Sequence, residues 1–551
     1  MRKAPVHIVD LGPEEIEEAL ALAKTSLPEK TYRVLETIVR AYRFVLEILG
    51  RKSGSIGRLR KMLFGPTSEK TEELLGGRGG KRRAESATKA KRRPAGKPRP
   101  RPGHGRNGEA AYREAQTVEV PHQKLQAGGR CPGCRKGKVY DQPDPGVLVR
   151  VRGQAPLGVT VYHLEKLRCN LCGEVFTARP PEGVGTEKYD ATSAAMIALL
   201  KYGSGFPFHR LDRLQKNLGL PLPAATQWEI VRDAARSLEG VYEELLWQAA
   251  QGGVLHNDDT AMRILAWMGK RREEQPKAPS KGGGNGEGED LKDDRTGIFT
   301  SGIVSLVGEH RIALYFTGRK HAGENLKALL EQRESWRGAP IQMCDALSRN
   351  VPKDFKTILA NCLAHGRRQF VEVLENFPRE VEYVLEVLAA VYKNDAMTKK
   401  RRMTALERLG FHQEKSGPLM EKLHAWMERQ ICEKLTEPNS TLGEAIGYMR
   451  KHWEKLTLFL RRPGAPLDNN VVERALKKAI LHRKNALFYK TDNGAHVGDL
   501  YMSLIHTCEM NGADPFDYLT QLQRHTKEVR AHPERWMPWN YRKALARARS
   551  P

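Results

Sequence analysis

Three acidic positions, far apart in the chain, are of a type that can do chemistry together. Asp258 and Asp259 stand in the run Val254-Leu-His-Asn-Asp-Asp-Thr260. Asp345 directly follows Ile341-Gln-Met-Cys344, and Glu473 lies in the helix opening after Asp468-Asn-Asn. Singly, each is an ordinary turn or strand-end acid. Brought together, three carboxylates offer the hard oxygen ligands that Mg²⁺ requires. Two such ions about 3.5–4 Å apart activate an attacking oxygen and stabilise a leaving one. Glu473 also has a purely structural reading, because Asn470 as N-cap with an acid three residues later forms a capping box. The two roles are compatible provided the carboxylate does not fold back onto the cap.

A second set has metal-ligand spacing. Cys131-Pro-Gly-Cys134 and Cys169-Asn-Leu-Cys172 are two Cys-x-x-Cys hooks separated by residues 135–168. Hooks of this kind converge on one tetrahedral ion in zinc ribbons, and four thiolates leave no open coordination position, so the expected Zn²⁺ is structural. The other four cysteines, Cys344, Cys362, Cys432 and Cys508, stand alone and read as buried thiols.

These residues need elements to position them. Strand-like runs at 254–265, 297–307, 311–317, 341–344 and 357–363, with a helix at 322–333 before the fourth, have the order of an RNase H-like core with a mixed sheet. In that topology the first and fourth strands are neighbours, so Asp258 and Asp345 can meet. Val472, Ala475, Leu476, Ala479 and Ile480 recur at helical spacing and give the Glu473 helix its buried face. Its other side is cationic.

The expected layout is multidomain, α/β and α. A helical region at 1–75, forming a coiled coil or an antiparallel pair, precedes a basic disordered linker at 76–112. A zinc ribbon at 113–183 follows, and then a helix-turn-helix-like domain at 184–252. Within that domain, 208–218 and 224–238 are the helices, either a DNA reader or simply two packed helices. The core follows in two parts, 253–365 and 468–512, around a helical insertion at 366–467 with a charged break near 394–402. A basic tail closes the chain at 513–551. Residues 270–295 read as a solvated loop.

The formal charge of +26 over 551 residues, with 92 Lys and Arg, calls for a polyanionic partner. No apolar run approaches the ~20 residues of a membrane span, and the start lacks an apolar signal core. A membrane partner is therefore not expected, and the reducing cytosol is. His365, Arg367 and Arg368, beyond the fifth strand, and Arg474, Lys477, Arg483 and Lys484, on the Glu473 helix, are the candidate phosphate contacts.

The sequence resembles the transposases of the IS66 group of bacterial insertion sequences, which are of the DDE class. The resemblance rests on Leu255-His-Asn-Asp-Asp-Thr260, Asn361-Cys-Leu-Ala-His-Gly-Arg-Arg-Gln-Phe370 and Asp468-Asn-Asn-Val-Val-Glu-Arg474. It continues in Arg483-Lys-Asn485, Ser503-Leu-Ile505 and Asn511-Gly-Ala-Asp-Pro515, and upstream in Leu63-Phe-Gly-Pro-Thr-Ser-Glu-Lys70 and Gly103-His-Gly-Arg-Asn-Gly108. It implies catalytic, metal-binding roles for Asp258, Asp345 and Glu473, with two Mg²⁺, or Mn²⁺ in their place. It further implies cleavage at the element's terminal inverted repeats and transfer of the freed 3′-OH to double-stranded target DNA. A homo-oligomer on DNA, small accessory proteins encoded alongside and a nucleoid location in a bacterium go with it.

Three departures stand out: Asp259 where the family has Glu, which makes Asp259 a rival first ligand; Ala486 where the family has Trp; and the long 270–295 loop. The competing expectation is a catalytically silent, transposase-derived zinc-ribbon protein that binds DNA without cutting it.

Overall fold

Residues 254 to 361 carry five short, mostly apolar runs, and each becomes a strand of one sheet. The computed structural model describes 126–132, 134–140, 154–268 (apart from 169, 171, 173, 174 and 186) and 297–549. It also describes 13–26 and scattered positions up to 39. The basic linker, most of the N-terminal helical stripe and the 270–295 loop lie outside the described residues.

In chain order, α1 (Pro13–Ser26) is followed by a two-stranded antiparallel pair, β1 (Lys166–Arg168) and β2 (Val175–Thr177). Next come α2 (Ala191–Ala198), α3 (Phe208–Asn217) and α4 (Ala224–Ala250). The sheet strands are β3 (Val254–Ala261), β4 (Phe299–Val307), β5 (His310–Gly318), β6 (Ile341–Cys344) and β7 (Ile358–Asn361), with α5 (Ala322–Leu330) between β5 and β6. Helices α6 (Leu363–Val373), α7 (Pro378–Lys400), α8 (Ala405–Lys415), α9 (Gly417–Cys432), α10 (Thr441–Lys451) and α11 (Trp453–Leu456) follow. The chain ends with α12 (Asn470–Ala486), α13 (Asp492–Met510), α14 (Pro515–Arg524), α15 (Thr526–Ala531) and α16 (Tyr541–Arg549). Two units result: Met1–Ser86 with Leu363–Gly464, and Ala87–Cys362 with Ala465–Pro551.

The larger unit is built on the five-stranded sheet, in the order β5-β4-β3-β6-β7. β4 runs antiparallel to both β3 and β5, whereas β6 joins parallel to β3 and β7 parallel to β6. The first and fourth sheet strands are thus adjacent, with Val254 opposite Ile341. Helices cover both faces. α12 packs on β3 and β4, and α5 packs on the same two strands from the other side. Coverage on both faces is why β4 is buried from Thr300 to Ser305.

The edge strand β5 is sealed by side chains of α13. Asn511 accepts from the Arg311 N–H and donates to its carbonyl, Thr507 does the same at Ala313, Ser503 accepts from the Tyr315 N–H, and Asp499 accepts from the Thr317 N–H. Four residues of helix rise about 6 Å and two residues of strand about 6.7 Å, so the two ladders stay in step. An exposed edge is thereby closed to pairing with another chain.

α4 buries Val231, Ala235, Leu238, Val241, Leu245 and Ala249, spaced three or four apart, together with Tyr242, and packs against β4 and α13. Packed helices therefore account for that face of α4. The C-terminal stretch is not a loose tail. Tyr518, Leu519, Leu522, Val529, Trp536, Met537 and Tyr541 join the core, and Asp514 caps α14 by accepting from Phe516 and Asp517 N–H groups. Its aromatic residues outweigh its charge once they have a core to enter.

The helical unit also departs from expectation. α7 runs unbroken to Lys400, and the chain turns only at Arg401 and Arg402, the latter at φ 52°. The charged stretch expected to break the helix instead forms an ion cluster: buried Asp395 meets Lys399 at 2.7 Å, Arg408 at 2.7 Å and His412 at 3.4 Å. Paired in this way, a charge can be buried without ending the helix.

Candidate active site

Successive residues of a strand face opposite sides of the sheet, and this separates Asp258 from Asp259. Asp258 pairs across the ladder with Gly302, and Asp259 with Ser301. Gly302 lies under α12: a Cβ there would stand 2.9 Å from Leu476 Cδ2. The absent side chain lets the Glu473 helix approach the sheet beside Asp258. Ser301, on the other face, accepts from Asn325 of α5. There Asp259 is met by His321 Nδ1 at 2.8 Å and by the Arg349 guanidinium at 3.4 Å.

Asn350 ties Asp258 to Asp345. Its side-chain amide donates to Asp345 Oδ1 at 2.6 Å and reaches Asp258 Oδ1 at 3.4 Å. Its backbone carbonyl accepts from Asn257 and Gln342, each at 2.7 Å, and Gln342 also donates to Asn257 Oδ1 at 2.9 Å. All three amide residues are buried, so this knot fixes the turn after β6 against β3.

At the third acid the expected cap is corrected. The helix N-cap is Asn469, not Asn470, and its side chain makes no cap bond. It reaches into the sheet instead, donating to the Asn257 carbonyl at 3.0 Å and meeting His256 Nδ1 at 3.1 Å. The Asn469 N–H donates to Cys362 Sγ at 3.2 Å. A buried strand carbonyl needs a donor more than a solvated helix end does, which explains the diversion. Glu473 follows in the first turn of α12, half-buried, with its carboxylate within 4.8 Å of Cys362 Sγ. Val472, Ala475, Leu476 and Ala479 are buried as the spacing requires; His482 joins them, while Ile480 is only half-buried.

The other acids are felt at Asp258. Burial first, then the charges of Asp345, Asp259 and Glu473, push the Asp258 carboxyl up to about 7, against one opposing hydrogen bond from the Asp259 N–H. Such a site is short of positive charge. A divalent cation would relieve the repulsion, and carboxylate oxygens are donors that suit Mg²⁺, but the three acids do not close to within 4.8 Å of one another, and Glu473 lies against Cys362 Sγ instead.

Arg483 hydrogen-bonds Thr260 Oγ1 at 3.3 Å and also the Ala261 carbonyl, fastening α12 to the end of β3. Arg474, Lys477 and Lys484 are exposed on α12. His365, Arg367 and Arg368 lie half-buried on the first turns of α6, in the helical unit. The Arg130–Lys138 bridge brackets Cys131 and Cys134, and the β1–β2 pair brackets the second hook. The Gly137 N–H donates to Cys134 Sγ at 3.4 Å, and bonds of this kind from Gly137 and Lys136 hold the Cys134 thiol below its usual range. Cys172 is exposed, and Cys169 lies outside the described residues.

Over residues 188–278 and 292–497, more than half of the chain, the sequence matches the profile described as Transposase IS66 family. This chain belongs to the IS66 transposase family. DNA is the partner class that membership carries, and no described helix is long and apolar enough to cross a membrane. Among its relatives is the uncharacterized protein y4hP of Sinorhizobium fredii, 26% identical over 418 residues, which are 69% of this chain and 68% of that one. The same organism's y4qI is 24% identical over 63% of this chain and 62% of its own length. Its y4jD is 33% identical over 33% of this chain and 36% of its own. In this IS66 transposase, sequence reasoning missed Asn350, Gln342 and Gly302. Asn350 stands five residues after Asp345, in a polar turn that carries no signal of its own.

Proposed function

We propose that this protein is a DDE transposase that cuts DNA at the ends of an IS66-like element and joins the freed 3′-OH to target DNA. Asp258, Asp345 and Glu473 are the metal ligands, carried on an RNase H-like core. The observation that carries the reading is Asp258: it shares Asn350 with Asp345, and the helix that carries Glu473 packs over Gly302, its partner across the ladder, though the three acids come from distant parts of the chain. The strand order, three antiparallel strands followed by two parallel ones, supports the core assignment.

Two Mg²⁺ ions held there would supply the activation of the attacking oxygen and the stabilisation of the leaving one. The chain's own part is positioning. Asn350 holds Asp345 beside Asp258, and Asn469 seats α12, the helix that carries Glu473, on β3. Asp259 stays on the opposite face with His321 and Arg349, which favours Asp258 as the first ligand. Exposed Arg474, Lys477 and Lys484 grip phosphates along α12, with His365, Arg367 and Arg368 as further contacts. The four cysteines Cys131, Cys134, Cys169 and Cys172 hold one structural Zn²⁺ in a ribbon.

The deciding experiment incubates purified protein with duplexes bearing the native element ends and Mg²⁺, and looks for joined products on a denaturing gel. Products that depend on Mg²⁺ and on Asp258 are expected. Binding to the ends without any cleavage, under conditions supplying the accessory proteins, would overturn the reading in favour of a silent DNA-binding descendant.

A further inference from the structure

The turn that ends α12 is strained, apolar and exposed. Leu487 has φ 70° and ψ −41°, and the Phe488 N–H donates to the Ala486 carbonyl at 2.9 Å. This is a γ-turn of the rare, positive-φ kind, which a non-glycine residue adopts only under constraint. The constraint is visible on both sides. The Leu487 N–H donates back to Arg483 at 2.9 Å, and the Tyr489 N–H donates to Arg263 at 2.9 Å, with Tyr489 buried. Yet the two residues held in this way do not pack inward: Leu487 is 59% exposed and Phe488 38%. Glycine would suit the backbone better, and polar side chains would suit the solvent better.

The surroundings indicate what meets them. Arg263, Lys484 and Lys490 are exposed about the turn, and Arg319 lies over the Trp267 ring at 5.0 Å. The Ala266 N–H donates to the Lys490 carbonyl at 3.1 Å, which brings Trp267 alongside. Asp492, bonded to Trp267 Nε1, is the acid that faces this cluster. An apolar pair inside a cationic frame suits a ligand that is anionic outside and flat and apolar inside. A DNA base step has that chemistry, since phosphates meet the cations while an inserted apolar wedge partly unstacks the bases.

We propose that Leu487 and Phe488 form a wedge that unstacks a base at the DNA junction entering the active site. The position fits. The turn closes the helix that carries Glu473, and Arg483, four residues before Leu487, is bonded to Thr260, two residues beyond Asp258. The inference rests on the transposase reading for its DNA, not for its chemistry.

The test uses duplexes of about 40 base pairs carrying the element end, with 2-aminopurine replacing single adenines near the junction and Ca²⁺ in place of Mg²⁺. Wild-type protein should raise 2-aminopurine fluorescence several-fold at one position. Phe488→Ala and Leu487→Gly should lower that rise at least threefold at saturating protein, and Phe488→Trp should keep it. Leu487→Gly should melt no lower than wild type, because glycine relieves the backbone, so a misfolded variant cannot mimic the result. Saturated binding by wild type with no rise anywhere near the junction overturns the proposal, whether the pair meets only backbone or is covered by residues 269–296. A full rise with Phe488→Ala overturns it as well. If wild type gives the rise but never cuts with Mg²⁺, the catalytic reading falls and the wedge stands.

Discussion

Asn350 makes one amide serve two acids, and so the geometry of the site depends on a residue that need not touch metal or DNA. Asn350→Ala should weaken metal-dependent activity by about 10–100-fold, the usual cost of losing an outer partner of a metal ligand. Titrating Mg²⁺ against strand transfer checks this, and an unchanged Mg²⁺ requirement would count against it. The proposed ligands should behave differently. Asp258→Asn, Asp345→Asn and Glu473→Gln should each abolish joining while leaving binding to element ends intact, as gel shift and joining assays on the same preparations would report. Asp259→Asn should retain substantial activity, because its side chain is engaged by His321 and Arg349 on the far face. If Asp259→Asn alone is dead, the first ligand has been misassigned.

At the scale of elements, the seal between α13 and β5 carries a pH dependence. Burial, opposed by the two Thr317 hydrogen bonds, pushes Asp499 up to about 7. In the unfolded chain the same group titrates near 4. Below pH 4 it is protonated in both states and carries no penalty. As pH rises from about 4 through about 7, the unfolded chain ionises first, and this group's contribution to stability is lost, on the order of a few kcal/mol. Asp499→Asn keeps an acceptor for the Thr317 N–H and a donor for its hydroxyl without titrating. The variant's melting temperature, compared with wild type at one scan rate, should gain on it steadily between pH 4 and pH 8. A constant difference over that range would refute the assignment. Asp395 in the helical unit runs the opposite way. Burial would raise it, but His412, Arg408 and Lys399 hold it well below the carboxylate range, so its stabilisation is present near neutrality and lost only in strong acid.

At the scale of the whole molecule, the chain combines a sheet-based unit, a helical unit and a strongly basic run of sequence at 78–106. If the proposed four-thiolate site is present, elemental analysis should find zinc in the wild type and its loss in Cys131→Ser; full retention would sink the site. Removing residues 78–106, where Arg and Lys crowd among Gly and Pro, should weaken DNA binding at low salt. The slope of log affinity against log salt should also become shallower, since fewer counterions are released. An unchanged slope would identify the stretch as a passive tether.

What the sequence by itself determined was local and periodic. The five sheet strands, the buried face of α12 and the Cys-x-x-Cys hooks were all legible, because apolar spacing and ligand spacing are properties of neighbours along the chain. The three acids were legible only as candidates, through strand order and family motif. Tertiary structure decided the rest, because each outcome depends on a partner distant in sequence. Asn469 left its cap role because the Asn257 carbonyl lay within reach. Asp259 fell on the face opposite Asp258, where Ser301, His321 and α5 lie. The charged stretch stayed helical as far as Lys400 because Arg408 and His412 came back to pair with Asp395. The C-terminal stretch folded because its tyrosines and tryptophan found a core to enter. A buried polar group takes whichever partner the fold brings to it, and no window of sequence contains that partner.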